Sequence, residues 1–68
     1  MSGFRSLVDK AREVVEREKR VKIGKLAFKL GKSYTYTKYG IAKILIDLNE
    51  CIKYEDDELV WVCDDGEG

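Results

Sequence analysis

Sixty-eight residues carrying 13 basic and 13 acidic side chains make one small domain, near the lower limit for a chain that folds without metal or disulfide support. The net charge of zero hides a split: residues 1–45 hold twelve Lys/Arg against four Asp/Glu, and residues 46–68 hold one Lys against nine Asp/Glu, a dipolar distribution whose basic half suits an anionic partner or the acidic half itself. No apolar run approaches the roughly 18 residues that cross a bilayer, and no basic-then-apolar leader is present, so a cytoplasmic protein without membrane contact is expected.

Phe4, Leu7, Val8, Ala11, Val14 and Val15 recur at spacings of three and four and form the apolar stripe of a first helix, about Ser6 to Lys19. Ser2 or Ser6 can cap it, and Glu13–Arg17 and Glu16–Arg20 are favourable four-apart pairs on its outer face. From Arg20 to Ile23 the pattern alternates, as in a short strand that needs a partner elsewhere. A second helix covers about Gly24 to Leu30, with Leu26, Ala27 and Leu30 inward, and Gly31 suits the left-handed conformation that ends a helix.

The hydroxyl-rich segment Lys32 to Thr37 offers Ser33, Thr35 or Thr37 as the cap of a third helix, about Lys38 to Leu48, which buries Ile41, Ala42, Leu45 and Leu48. Its other face carries Tyr36, Tyr39, Lys43 and Asp47, with Gly40 among them. After Asn49 the period changes to two. Cys51–Tyr54 and Leu59–Cys63 read as the strands of a hairpin around the acidic turn Glu55-Asp56-Asp57-Glu58. A two-residue loop pairs Tyr54 with Leu59 and Ile52 with Trp61, and places Leu59 and Trp61 on the core. A loop one residue longer pairs Cys51 with Cys63 and turns one strand over. The shorter loop is preferred. Residues 64–68 read as an acidic, disordered tail after a domain spanning 1–63.

Helix, short strand, helix, turn, helix, hairpin is the order of an α+β winged helix-turn-helix, and the chain resembles that superfamily over residues 4–63. The resemblance is carried by Leu26-Ala27-x-x-Leu30-Gly31, by Ile41-Ala42-x-x-Leu45-x-x-Leu48, and by the hairpin that follows almost at once. It is closest in kind to small archaeal or archaeal-virus regulators. The resemblance implies a transcriptional regulator that binds double-stranded DNA, with the third helix in the major groove and the hairpin, the wing, on a neighbouring groove or phosphates. Carried onto this chain, it assigns Thr35, Tyr36, Thr37, Lys38, Tyr39 and Lys43 to the reading helix, Ser33 to phosphate oxygens at its start, and Lys25, Lys29 and Lys32 to the flanking backbone. A homodimer would read two half-sites.

Two features depart from the family pattern. Ten residues separate Gly31 from Ile41, so the turn is longer or the third helix begins earlier with a polar first turn. The wing tip carries Glu55, Asp56, Asp57 and Glu58 where a DNA-contacting wing carries Arg or Lys. Such a tip should point away from nucleic acid or, with the acidic tail, engage a basic protein, which makes a protein-interaction module the alternative function. Each motif also has a plain structural reading. The tyrosines can cover the edge of a small core, the lysines can be a solvated face, and the carboxylates a solvated turn without EF-hand spacing.

Cys51 and Cys63 are too few for a metal centre without histidine. The longer-loop register would bridge them; free, half-buried thiols are the expectation otherwise. The absence of His, Pro and Gln, with abundant charge, resembles hyperthermophile composition, and disulfides do occur inside such cells. No base stands beside a nucleophile and no glycine-rich phosphate loop is present, so neither catalysis nor a cofactor is expected.

Overall fold

The computed structural model describes residues 3–63. The expected tail 64–68, the Ser2 cap and the side chain of Phe4 lie outside the described residues. Helix α1 spans Gly3–Glu18. It buries Val8, Ala11, Val14 and Val15, with Leu7 packed against the core edge. The chain leaves α1 through Lys19, whose φ of 69° breaks the helix, while Lys19 N–H still donates to Val15 O at 2.8 Å. Arg12 and Glu16 pair at 3.0 Å on a half-buried side of the helix, where Arg12 also donates to Asn49 Oδ1 at 3.1 Å. Among the described residues neither expected pair, Glu13–Arg17 nor Glu16–Arg20, forms; Arg20 has turned into the sheet and pairs with Glu58.

Strand β1, Arg20–Lys22, exposes its two ends and buries Val21. Helix α2 follows directly at Ile23–Leu30 and buries Ile23, Leu26, Ala27 and Leu30. Gly31 ends it at φ 71°. Lys32 N–H donates to Ala27 O (3.0 Å) and Gly31 N–H to Phe28 O (3.2 Å), the two bonds of a Schellman cap that a residue with a Cβ would strain.

The third helix, α3, begins earlier than the apolar periodicity indicates. It consists of an α-helical turn Tyr34–Tyr36, a π-helical turn Thr37–Ile41 and an α-helical segment Ala42–Leu48, with helical backbone through both junctions. Ser33 caps it: its Oγ accepts from Tyr36 N–H at 3.1 Å. The polar segment KSYTYT is therefore mostly the first turn of α3, and only Gly31, Lys32 and Ser33 separate α2 from α3. Leu48 corrects the expected core. It stands at the last helical position and is 71% exposed, facing Arg5, Val8 and Asp9 of α1 among the described residues. Together with Ile44 these residues line an open groove.

Strands β2, Ile52–Glu55, and β3, Glu58–Trp61, complete an antiparallel three-stranded sheet in the order β1-β3-β2. The hairpin adopts the two-residue loop, with Ile52 opposite Trp61 and Tyr54 opposite Leu59. Asp56 and Asp57 both have positive φ, 53° and 62°, as a tight hairpin turn of this hand requires. Val21 lies opposite Leu59 on the other side of β3, so Val21, Leu59 and Ile52 floor the core beneath the helices. Trp61 packs at its edge with the Arg12 guanidinium 5.3 Å and the Lys19 ammonium 5.9 Å from the ring centre.

The cysteines correct a second expectation. Cys51 and Cys63 form a disulfide, with Cα atoms 5.0 Å apart, although the loop is the shorter one. Pairing continues past the strand ends, where Val62 N–H donates to Cys51 O at 2.7 Å. The chain bends there, after Trp61, and brings Cys63 alongside Cys51. Among the described residues no helix is long and apolar enough to cross a membrane, and no cluster of ligands suits a metal ion.

Candidate nucleic-acid interface

The structure separates the basic and hydroxyl residues of the second and third helices into three groups. Thr35, Tyr36, Tyr39 and Lys43 lie exposed on α3, with Tyr39 at 64%. Lys32, at the entry to α3, is exposed and holds its ammonium 5.8 Å from the Tyr36 ring centre. Neither Lys32 nor Lys43 has an ion-pair partner among the described residues. Gly40 belongs to the π turn between them, and a Cβ built there meets nothing within 4 Å. Internal packing does not require that glycine.

The second group is neutralised or structural. Lys25 and Lys29 on α2 both lie against Glu18 at the end of α1, at 3.9 and 3.5 Å. Ser33 is the helix cap. Thr37 is a correction: it is fully buried, and its hydroxyl donates to Ser33 O at 2.9 Å. No ligand reaches it, because the early start of α3 rotates position 37 onto the core face.

The third group surrounds Lys38. Its side chain is only 29% exposed, and its ammonium lies 5.7, 5.5 and 6.0 Å from the ring centres of Tyr34, Tyr39 and Tyr54. Asp57, from the hairpin tip, closes this assembly. Its Oδ1 accepts from the hydroxyls of Tyr34 at 2.5 Å and Tyr54 at 3.0 Å, and lies 3.7 Å from Lys38 Nζ. The Asp57 backbone carbonyl accepts from Ile23 N–H at 3.0 Å, so one residue touches the starts of both α2 and α3. The Tyr34 hydroxyl, then that of Tyr54 and the Lys38 charge, hold the Asp57 carboxyl below its ordinary range against a partial desolvation. The same bond holds the Tyr34 phenol above its ordinary range. Lys38 is likewise raised, foremost by the Tyr54 hydroxyl.

The hairpin tip therefore packs against α3, and three of its carboxylates, Glu55, Asp57 and Glu58, have partners within the chain. Glu58 takes Arg20 at 2.5 Å and Lys22 at 3.5 Å, and Glu55 lies 3.8 Å from Arg20. The Arg20 hydrogen bond lowers the Glu58 pKa, and Glu58 raises that of Arg20. The two charge halves of the sequence meet here, within the sheet.

The Tyr34–Asp57–Tyr54 contact was not foreseeable from the sequence, since it joins residues 23 positions apart. Phe28, 86% exposed on α2, was foreseeable, because it falls off the Leu26, Ala27, Leu30 stripe at 100° per residue. Beside Lys38, an open groove of about 220 Å³ is lined by Tyr39, Ala42, Lys43, Ile46 and Tyr54. It lies between α3 and β2 and is open to solvent. No protein-family model, curated protein or solved structure matches this chain.

Proposed function

We propose that the protein is a winged helix-turn-helix that binds double-stranded DNA, as a transcriptional regulator does, with α3 in the major groove. The observation that carries this reading is the outward face of α3. Thr35, Tyr36, Tyr39 and Lys43 stand exposed around Gly40, with Lys32 at the entry. Hydroxyls and ammonium groups are donors for phosphate and base edges, and a glycine on that face lets backbone approach the duplex. The three-residue turn 31–33 and the strand order β1-β3-β2 support the architecture. In this orientation the α2 lysines contribute less than their number suggests, because Glu18 already partners two of them. The alternative, a wing tip that engages a basic protein, is less well supported, because Glu55, Asp57 and Glu58 already have partners within the chain.

The test is fluorescence anisotropy with a random-sequence duplex at two salt concentrations. Binding should weaken steeply with salt, by about 0.9 in log K per log salt for each phosphate contact. Lys43→Glu should weaken it further, while the same change at Lys10, on the outer face of α1, should do much less. No binding at low salt, or equal losses from the two variants, overturns the reading.

A further inference from the structure

Three donors converge on one oxygen atom at the junction of the wing and α3. The Tyr34 and Tyr54 hydroxyls and the Lys38 ammonium all address Asp57 Oδ1, at 2.5, 3.0 and 3.7 Å. The three groups come from the start of α3, its second turn and β2, elements held in place by the core, whereas the acceptor sits on a hairpin turn. We propose that this convergence is a phosphate-oxygen site, filled in the free protein by the chain's own Asp57, and that a phosphodiester of a bound nucleic acid takes the place of that carboxylate.

The turn itself supports an exchangeable plug. Asp56 and Asp57 occupy left-handed backbone at which glycine is the less strained choice. The Asp57 side chain is 46% exposed, so it has an open route outward. The backbone bond from Ile23 N–H to Asp57 O does not depend on the carboxylate and keeps the turn placed when the side chain leaves. The groove lined by both Lys38 and Lys43 runs beside the site, so a phosphate at Lys38 has a continuation toward the exposed face of α3. Use of the site by DNA rests on the DNA-binding reading; its affinity for a phosphate oxygen does not.

Asp57→Gly empties the site at a position that accepts glycine. Asp56→Gly is the matched control, because it removes the same charge from the same turn without touching the three donors. Folding of both is checked by circular dichroism. Titration with inorganic phosphate, followed by NMR on the Tyr34 and Tyr54 ring signals, should saturate for Asp57→Gly and stay flat for Asp56→Gly and the parent chain. Adding Tyr34→Phe to Asp57→Gly should abolish the saturation. With duplex DNA, Asp57→Gly should bind roughly tenfold more tightly than Asp56→Gly, as one added charge-assisted contact implies, and its salt slope should steepen by about 0.9. If Asp57→Gly does not fold, Asp57→Asn against Asp56→Asn serves, since asparagine tolerates this backbone; the same order with a smaller gap is expected. Equal behaviour of the matched variants toward phosphate overturns the site. Saturation by phosphate with no duplex binding by any variant leaves the site standing and removes the DNA reading.

Discussion

The Tyr34 hydroxyl donates to Asp57 Oδ1 at 2.5 Å, and this single bond ties the first turn of α3 to the tip of the hairpin. The tip is also held by the Tyr54 hydroxyl and the Lys38 ammonium, and by the backbone bond from Ile23 N–H to Asp57 O. Tyr34, Thr35 and Tyr36 are all exposed, and the hairpin tip has two residues in left-handed backbone. The Tyr34 bond is the part of this junction that joins the first turn of α3 to the turn Asp56–Asp57.

It also makes stability depend on pH in a defined direction. Tyr34 holds the Asp57 pKa below the ordinary 3.8, and Arg20 holds the Glu58 pKa below the ordinary 4.5. A depressed carboxyl contributes stability above its unfolded value and loses it as pH falls through its folded value. The Tyr34 phenol is raised above the ordinary 10.0, so its contribution is complete below that value and is lost as pH rises through the raised one. Thermal melts should thus be flat between about pH 5 and 9 and fall on both sides. Asp57→Asn should flatten part of the acid limb, and Tyr34→Phe should flatten part of both. An acid limb unchanged in Asp57→Asn would show that the carboxylate does not stabilise this junction.

Much of the architecture was legible because it rests on periodicity. The stripe in α1, the glycine at position 31, the switch of period after Asn49 and the two-residue hairpin loop all appear in the structure at or near their expected places. What was not legible depends on contacts distant in sequence or on helix phase. The first turn of α3 is polar, and only the Ser33 cap marks it as helix. The π turn at Thr37–Ile41 leaves no apolar signature, so Thr37 looked like a surface hydroxyl. Leu48 continues the apolar stripe, but among the described residues it borders an open groove and stays exposed. At the candidate site, the exposed residues of α3 were readable from their spacing. The pairing of the acidic turn with Tyr34, Tyr54, Arg20 and Lys22 was not, because charge composition does not say which groups meet.

The Cys51–Cys63 disulfide should account for a large share of the stability. It closes a loop of 12 residues' separation, for which chain entropy gives about 3 kcal/mol. In a domain of this size each kcal/mol moves the melting temperature by roughly 4–8 °C. Reduction, or the paired change Cys51→Ser with Cys63→Ser, should therefore lower Tm by roughly 12–24 °C. Calorimetry with and without reductant measures this directly. Because the bridge lies at the open end of the hairpin, past Ile52 and Trp61, reduction should leave the Asp57 contacts at the closed end in place. A drop of only a degree or two would mean that the paired strands already hold the ends together without it.

The hydroxyls at the start of α3 divide between folding and recognition, and three substitutions separate the roles. Ser33 Oγ accepts from Tyr36 N–H, and its loss in Ser33→Ala should cost about 1 kcal/mol, as helix caps do. Thr37 is fully buried and donates to Ser33 O. Thr37→Val keeps the shape and removes the bond, at a cost of about 1 kcal/mol. Thr35, two residues from each, is exposed, so Thr35→Ala should change stability by less than about 0.5 kcal/mol. Urea unfolding ranks the three. Duplex binding should rank them differently: when each variant is compared at a temperature where it is fully folded, Thr35→Ala should weaken binding most, because it alone removes a hydroxyl from the outward face. Thr37→Val in particular should bind DNA like the parent chain, since its hydroxyl never reaches solvent. If Thr37→Val instead lost affinity while Thr35→Ala kept it, α3 would have to present a different side to the duplex from the one that carries Tyr36, Tyr39 and Lys43.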